Sequence, residues 1–225
     1  MKNCIRLLLV DDHPIILTAY KKTLEQLEAE HEDLNFEITL AHNIPEALAA
    51  LSRFNAIKPL DWLFIDLNLP AYPERNLYSG EDLALKIREN FSQLKIIVCT
   101  TYNSNYRIHS LFNTLNPNAF LVKNDIDVDQ IKQAVLYLVT DNLYYGKTVR
   151  LALLQNISTD FLLDKLDRHL LYHLSIGTKL KNLPDVLPLS LGGIQKRKKR
   201  LKDIFGIDSN SDAQLIEKAK ELGFL

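Results

Sequence analysis

The stretch of sequence that decides the fold is residues 5–14, which read Ile-Arg-Leu-Leu-Leu-Val-Asp-Asp-His-Pro. The apolar run Leu7–Val10 is typical of a strand that is buried on both faces of a parallel sheet. Two carboxylates, Asp11 and Asp12, follow at once, and Pro14 suits the first turn of a helix. A buried strand that ends in carboxylates and leads into a helix predicts the first unit of an α/β fold.

The alternation of strand and helix continues along residues 1–141. Five such units predict a parallel five-stranded sheet with right-handed crossovers and helices on both faces. A length of about 140 residues favours the flavodoxin-like strand order 2-1-3-4-5, in which ligands bind beyond the carboxyl ends of the strands. The predicted strands are Ile5–Val10, Phe36–Ala41, Asp61–Ile65, Lys95–Cys99 and Ala119–Val122.

The rest of the chain has a different character, because the pattern after Gly146 predicts short helices and no further strand. The charge also changes. Residues 1–150 hold 15 Lys and Arg against 19 Asp and Glu, a balance of −4, whereas residues 151–225 hold 12 against 9, a balance of +3. We therefore predict an α/β domain over residues 1–141, a linker over 142–161 and a small all-α domain over 162–225.

The composition excludes several classes of protein. The 225 residues are 47% hydrophobic and 24% charged, which is typical of a folded chain and excludes wholesale disorder. The two cysteines, Cys4 and Cys99, lie in apolar runs and make no metal site without a histidine cluster. Because no apolar run reaches membrane-spanning length, we expect a cytoplasmic protein with no membrane partner.

Polar residues follow four of the predicted strands. Asp11 and Asp12 follow the first, Asp66 the third, Thr100 the fourth and Lys123 the fifth. In the predicted fold these residues meet in one pocket, where a hard divalent cation relieves the repulsion between three carboxylates. The pattern predicts a Mg²⁺ site at which Asp66 receives a phosphoryl group, because an ammonium and a hydroxyl stabilise the transferring oxygens. The alternative is that these residues only cap helices at the strand ends.

The motifs around this pocket resemble those of a known family. They are Asp11–Pro14, Asp66 followed by Asn68 and Pro70, Gly80-Glu81-Asp82-Leu83, Ile96–Thr100 and Phe120–Lys123. On these motifs, residues 1–141 resemble the receiver domain of two-component response regulators, and Asp11–Pro14 is particularly similar to the NarL/LuxR type. The resemblance implies that a histidine kinase phosphorylates Asp66. It also implies that Asp12, Asp66 and the backbone carbonyl of Asn68 bind Mg²⁺, with Asp11 acting directly or through water.

The same resemblance implies roles for three further residues. Thr100 and Lys123 would hold the phosphoryl group, and Phe120 matches the aromatic residue that turns inward when Thr100 moves toward the phosphate. A plain core phenylalanine is the alternative at position 120. One departure is Gly80, which stands fourteen residues after Asp66, farther than the family's usual glycine. The additional residues, within 71–79, would shield the phosphate, dock a partner or form a surface insertion.

Residues 189–205 predict a helix with one apolar and one basic face. Ser190 is a good N-cap and Gly206 a good stop. At about 100° per residue, Gln195, Lys196 and Lys199 lie opposite the apolar stripe. An exposed basic face suits the major groove of DNA, and a solvated surface is the alternative. The apolar stripe consists of Ile194, Leu201, Ile204 and Phe205, and Arg200 and Lys202 flank the basic face.

Residues 163–223 resemble the LuxR-type helix-turn-helix domain. The resemblance implies a first helix near residues 164–176, a scaffold helix within Lys179–Leu187 and a last helix near residues 212–222. Pro184 is a departure that should shorten or bend the scaffold helix. By position, the sites that contact bases match Gln195, Lys196 and Lys199, and the candidates for phosphate contacts are Ser190, Lys198 and Arg200.

Together these features predict a DNA-binding response regulator. Phosphorylation of Asp66 would favour a homodimer, whose two recognition helices bind half-sites of double-stranded DNA. Enzymatic activity would be limited to Mg²⁺-dependent self-phosphorylation from a phosphodonor and autodephosphorylation. One alternative is a receiver that acts through protein partners, with a helix-turn-helix domain that no longer reads DNA. Another is a Mg²⁺-dependent hydrolase of external phosphates that uses Asp66 as its nucleophile.

Overall fold

A computed structural model describes residues 3–155, 163–209 and 211–225 of the chain. Within these residues, parallel strands form one six-stranded sheet in the order β2-β1-β3-β4-β5-β6. The strands are β1 (Asn3–Val10), β2 (Leu34–Ala41), β3 (Trp62–Ile65), β4 (Lys95–Thr100), β5 (Ala119–Val122) and β6 (Tyr144–Tyr145). The first five have the flavodoxin-like order 2-1-3-4-5 that the sequence predicts.

The sixth strand corrects the prediction of a five-stranded sheet. β6 pairs in parallel with β5, and the Tyr144 N–H donates a hydrogen bond to the carbonyl of Asn118 (3.0 Å). A strand of two residues is too short to show period-2 alternation, so no sequence pattern marked it. β6 and helix α6 (Lys147–Leu153) fall within residues 142–161, the expected linker. Residues 156–162, which hold the end of that linker and the expected start of the last domain, lie outside the described residues.

Five helices connect the strands. They are α1 (Pro14–Glu30), α2 (Ile44–Ala50), α3 (Gly80–Asn90), α4 (Asn105–Leu115) and α5 (Val128–Val139). Side chains begin three of them as predicted by capping rules, since Asn43, Ser79 and Asp127 accept hydrogen bonds from backbone N–H groups in the first turns of α2, α3 and α5.

The sheet is buried on both faces. On one face, Leu7 and Leu9 of β1 pack in a cluster with residues of α1 and α5, including Leu24 and Val135. The alternate residues of β1, such as Leu8, are also buried and point to the other face, as the alternation of a strand requires. α2 contacts β1 and β2, and α3 contacts β3. Burial on both faces explains why the strands read as continuous apolar runs.

The C-terminal helices have a core of their own. They are α7 (Lys165–Ser175), α8 (Leu183–Val186), α9 (Leu191–Phe205) and α10 (Asp212–Glu221). Leu170, Leu183, Ile194 and Leu215 are buried in this core, one from each helix. These helices belong to the second of two compact units, which also contains Tyr102–Asn113.

The scaffold helix has the shortened form that Pro184 predicts. α8 has four residues, Pro184 lies in its first turn, and a 3-10 turn (Leu180–Asn182) precedes it. Proline is tolerated in a first turn because its missing N–H would be unpaired there. No helix among the described residues is both long and apolar enough to span a membrane.

Candidate functional site

The register of the sheet brings the predicted polar residues to one edge. β1 and β3 pair so that Asp11 and Asp66 follow their strands at the same level. β4 and β5 pair so that Thr100 and Lys123 end at that edge as well. The carboxyl ends of parallel strands thus assemble the pocket, at the switch point between the first and third strands where ligands bind in such folds.

The ammonium of Lys123 lies between two carboxylates. Its Nζ is 2.6 Å from Oδ2 of Asp11 and 2.6 Å from Oδ2 of Asp66. The Lys123 side chain is 8% exposed, and each aspartate side chain is 1% exposed. Removal of one partner would leave a buried charge without its counterion, which is strongly unfavourable. The three side chains therefore form one charged unit.

Asp12 and His13 complete the acidic cluster. His13 Nδ1 lies 2.7 Å from Oδ1 of Asp12 and 3.2 Å from Oδ1 of Asp11, and the His13 N–H donates to the same Asp11 oxygen (3.0 Å). One ligand atom from each of Asp11, Asp12, His13 and Asp66 lies within 4.8 Å of the others. Mg²⁺ prefers hard oxygen ligands and keeps several waters. The three aspartates therefore fit Mg²⁺, whereas His13 acts as a hydrogen-bond partner that orients two of them.

Asn68 contacts Asp66, and Thr100 ends β4, the strand next to β3. The Asn68 N–H donates to Oδ1 of Asp66 (3.1 Å), and its side-chain amide donates to the hydroxyl of Thr101 (2.8 Å). Thr100 is fully buried at the end of β4. Asn68 thus ties the loop after β3 to the end of β4, while the metal role of its carbonyl stays a prediction.

Burial and hydrogen bonds both shift the pKa values of Asp66 and Lys123. Desolvation raises the pKa of Asp66 above its usual value, and the hydrogen bonds that it accepts from Lys123 and Asn68 oppose this only in part. Desolvation disfavours the Lys123 ammonium, but its hydrogen bonds to Asp11 and Asp66 outweigh that effect and raise its pKa. Lys123 is therefore a permanent cation at neutral pH, and it lies where the charge of a transferring group would develop.

Gly80 allows the chain to pass very close to Asp66. A Cβ at position 80 would lie 2.0 Å from the carbonyl oxygen of Asp66, a distance that real Cβ atoms do not show. The Gly80 N–H also donates to the carbonyl of Leu67 (3.0 Å). The close approach explains why glycine stands here: it sets the start of α3 directly against the backbone that carries Asp66.

Residues 71–79, the extended loop, fold into a turn. Tyr72 and Leu77 form an antiparallel bridge around a 3-10 turn (Pro73–Arg75), and Asn76 adopts a left-handed conformation (φ 53°). Leu77 is buried and anchors the turn. The extended loop therefore has a structure of its own.

Phe120 lies on β5, between β4 and β6, and is fully buried. Its ring thus has the inward position that the resemblance associates with a switch residue. An ordinary core phenylalanine has the same burial, so the switch role of Phe120 stays a prediction.

The basic helix α9 begins and ends as the sequence predicts. The Ser190 hydroxyl accepts a hydrogen bond from the Gly193 N–H (3.2 Å), and Gly206 ends the helix with φ 67°. Ile194, Leu201 and Phe205 are buried in the C-terminal core. The predicted apolar stripe therefore faces the core.

Tertiary contacts divide the six cations of residues 196–202 into two groups. Lys196 and Lys199 are exposed together with Gln195. The other four cations pair with carboxylates of the same domain, and these are Arg197, Lys198, Arg200 and Lys202.

Asp167 of α7 binds the two arginines. Arg197 Nη1 lies 2.7 Å from its Oδ1, and Arg200 Nη1 lies 2.9 Å from its Oδ2. Arg197 also reaches Oδ2 of Asp164 (2.8 Å). The Asp167 side chain is 0% exposed, so the two guanidinium groups are the counterions of a fully buried carboxylate.

Asp212 of α10 binds the two lysines. Lys198 Nζ lies 2.7 Å from its Oδ2, and Lys202 Nζ lies 3.5 Å from its Oδ1. Lys202 is buried, so the prediction that it flanks the basic face is wrong, because packing against α10 turns it inward. Lys198 and Arg200, the predicted phosphate contacts, enter any DNA complex with their charges already paired.

Sequence reasoning missed three residues of these sites, His13, Asp167 and Asp212. The start of α7 carries a usable signal, because Asp164 and Asp167 form a capping box, the pattern of an N-cap residue and an acid three positions later. No local pattern indicates that Asp167 reaches residues 30 and 33 positions away.

Comparison with known proteins gives a family match and similar relatives. A model of the response regulator receiver domain matches residues 7–136. The transcriptional regulatory protein MctR of Rhizobium johnstonii is 24% identical over 224 residues, which cover 98% of this chain and 95% of MctR.

Solved structures share the fold. RcsB from Salmonella enterica serovar Typhimurium, bound to promoter rprA with the phosphomimetic BeF3⁻, is 23% identical with a TM-score of 0.68 over 97% of this chain and 99% of that chain. RcsB of the same organism bound to promoter P1flhDC is 21% identical with a TM-score of 0.66 over 96% and 98%.

Proposed function

The chain belongs to the response regulator receiver domain family, and we propose that it is a DNA-binding response regulator controlled by phosphorylation of Asp66. The observation that carries the proposal is the buried Lys123 ammonium, held 2.6 Å from both Asp11 and Asp66. A pocket that concentrates carboxylates around one lysine is suited to bind a divalent cation and to accept a phosphoryl group.

Asp66 is the phosphoacceptor in this proposal. A carboxylate oxygen of Asp66 attacks the phosphorus of a phosphohistidine on a histidine kinase, and the bond from phosphorus to the histidine nitrogen breaks. Lys123 exchanges its contact with Asp66 for an oxygen of the transferred group, and the Thr100 hydroxyl binds another. Asp11, Asp12, Asp66 and the carbonyl of Asn68 would hold Mg²⁺, which would supply positive charge to the phosphoryl oxygens.

Phosphorylation would then be transmitted through the receiver. A shift of Thr100 toward the phosphate and the inward position of Phe120 would change the population of receiver conformations and favour a homodimer. We assign the receiver to residues 1–141, the linker to residues 142–161 and the DNA-binding domain to residues 162–225; β6 of the linker adds a strand to the receiver sheet.

DNA recognition is assigned to the exposed face of α9. Gln195, Lys196 and Lys199 are exposed on one side of this helix, where amide and ammonium groups can read base edges in the major groove. The similar proteins support this assignment, since MctR is a transcriptional regulatory protein and both RcsB structures contain promoter DNA. The phosphate contacts are assigned to Ser190, Lys198 and Arg200.

Mass spectrometry of the intact chain tests the phosphoacceptor. With acetyl phosphate and Mg²⁺, the wild-type chain should gain the mass of one phosphoryl group, and Asp66→Asn should gain none. Sizing of the wild-type product should show a dimer. Incorporation of phosphate by Asp66→Asn would show that the assignment of Asp66 is wrong.

A rival function is a receiver that acts through protein partners and no longer binds DNA. The observation that favours it is the pairing of four of the six cations of α9 with carboxylates. A gel-shift titration against salt separates the two functions, because release of counterions makes DNA binding weaken steeply as salt rises. Absence of binding, or binding that salt does not weaken, would favour the rival.

A further inference from the structure

Asp167 is held rigidly by its own helix. Its N–H donates to Oδ1 of Asp164 (2.8 Å), and the Asp164 N–H donates to Oδ2 of Asp167 (3.2 Å), so the two residues form a reciprocal capping box at the start of α7. Such a box satisfies backbone N–H groups that the first turn leaves unpaired. The Asp167 carboxylate therefore has a fixed place in the C-terminal core.

The same carboxylate ties α7 to α9. Arg197 and Arg200 are three positions apart and thus lie on one side of α9, and each donates to a different oxygen of Asp167. Burial disfavours the Arg197 cation, but its hydrogen bonds to Asp164 and Asp167 outweigh this and raise its pKa. Rotation or sliding of α9 would leave a buried carboxylate without counterions, which is strongly unfavourable.

The contact also sets where the exposed side of α9 points. At about 100° per residue, the side of Gln195, Lys196 and Lys199 lies about a third of a turn from the side of Arg197 and Arg200. Base readout depends on hydrogen bonds of defined direction. The orientation of α9 within its domain therefore decides which base edges these three side chains reach.

We propose that Asp167 is a positioning residue for DNA recognition. By holding Arg197 and Arg200 it sets the rotation of α9, and it pairs both guanidinium charges with a carboxylate. The proposal rests on the proposed DNA binding. It predicts that Asp167 raises the ratio of operator affinity to non-operator affinity, although it touches no DNA.

The test uses the full chain, treated with acetyl phosphate and Mg²⁺. An operator is first selected from random double-stranded DNA with the wild-type chain. Dissociation constants for that operator and for a scrambled duplex are then measured over a range of salt. The variants are Asp167→Asn, which raises the net charge by one, Arg197→Gln, which lowers it by one, and the double variant. Circular dichroism and thermal unfolding report whether each variant folds.

Asp167→Asn and Arg197→Gln change the net charge in opposite directions, but both should reduce discrimination between the operator and the scrambled duplex. Asp167→Asn and Arg197→Gln should each lower the affinity ratio about tenfold, within the range of coupling between residues in contact. Only Asp167→Asn should bind the scrambled duplex more tightly, and its logarithmic salt slope should steepen by about one for each arginine released. The double variant should lose no more than the worse single variant, because both changes break one contact.

Asp212→Asn is the matched control. It also adds one positive charge and releases two cations of α9, Lys198 and Lys202, but it leaves the contact between α7 and α9 in place. Its affinity ratio should stay within about twofold of the wild-type ratio, well below one tenfold step in affinity. If Asp167→Asn does not fold, the affinity ratios of Arg197→Gln and Arg200→Gln are compared with that of Asp212→Asn instead.

Three results would overturn the proposal. An unchanged affinity ratio in the folded variants would show that Asp167 has no positioning role. Additive losses in the double variant would show that Arg197 reads DNA by itself. Failure of the wild-type chain to select any sequence would overturn the proposed DNA binding as well, and so the two failures are distinguishable.

Discussion

The acidic pocket and the basic helix α9 are both rich in like charges, but they differ in how many of those charges are paired in the folded protein. In the pocket, Lys123 pairs with Asp11 and Asp66 while Asp12 lies in the same cluster, and a negative excess is left at the edge of the sheet. In α9, carboxylates of Asp167 and Asp212 pair with four of the six cations and leave Lys196 and Lys199 exposed. The pocket is thus suited to bind another cation, whereas the unpaired positive charge of α9 is confined to Lys196 and Lys199 among the described residues. The charge that a run of basic residues presents to solvent therefore depends on which carboxylates pair with it in the folded protein.

The largest effect is expected for a substitution in the acidic pocket. Asp12→Asn should slow phosphate incorporation from acetyl phosphate by roughly 100-fold or more, since even changes beyond the direct metal ligands cost up to about that factor. Intact-mass time courses at several Mg²⁺ concentrations measure the rate, and excess Mg²⁺ should restore part of it.

Asp33→Asn is the control for that experiment. Asp33 is exposed just before β2, at the amino end of a strand, so the same change of charge should leave the rate unaltered. Equal slowing in both variants would mean that net charge, and not a metal site at Asp12, controls the reaction.

Gly80→Ala probes how closely the pocket is packed. The added Cβ would meet the Asp66 carbonyl at 2.0 Å, and backbone cannot move aside as a flexible side chain can. We expect a loss of about 3 kcal/mol in the free energy of unfolding, the upper part of the usual range for overpacking. Urea unfolding measures it, and a variant as stable as the wild-type chain would show that the loop after Asp66 can shift.

Smaller effects are expected for substitutions of two lysines in the basic helix α9. Lys199→Ala should weaken operator binding by about 1–3 kcal/mol and scrambled DNA much less if Lys199 reads a base. Lys198→Ala should cost less on the operator, because Lys198 is already paired with Asp212. Gel shifts on both duplexes make the comparison. Equal losses on operator and scrambled DNA would make Lys199 a phosphate contact.

The smallest effect is a gain in stability. Gly192 lies in the first turn of α9 with no atom within 4 Å of an added Cβ. Gly192→Ala should therefore stabilise the chain by up to about 1 kcal/mol, because alanine loses less backbone entropy in a helix. Urea unfolding of this variant beside Gly80→Ala compares the same substitution in the two regions, and a destabilised Gly192→Ala would contradict the open surroundings.

The pocket could be predicted from sequence to a large extent. Asp11, Asp66, Thr100 and Lys123 each follow a recognisable buried strand, and the order of a parallel sheet brings the ends of such strands together. The contacts of His13 could not be predicted, since they depend on side-chain rotamers. β6 could not be predicted, because a strand of two residues is too short to show the alternation of apolar and polar residues that marks a strand.

By itself, the sequence determined the alternation of strands and helices, the strand-end carboxylates and both ends of α9. These features depend on hydrophobic period, caps and glycine stops, all of which act over a few neighbouring residues. Only the tertiary structure decided which cations of α9 are paired with carboxylates. That choice depends on how α7 and α10 pack against α9, because an ion pair between residues 30 positions apart exists only after the chain has folded.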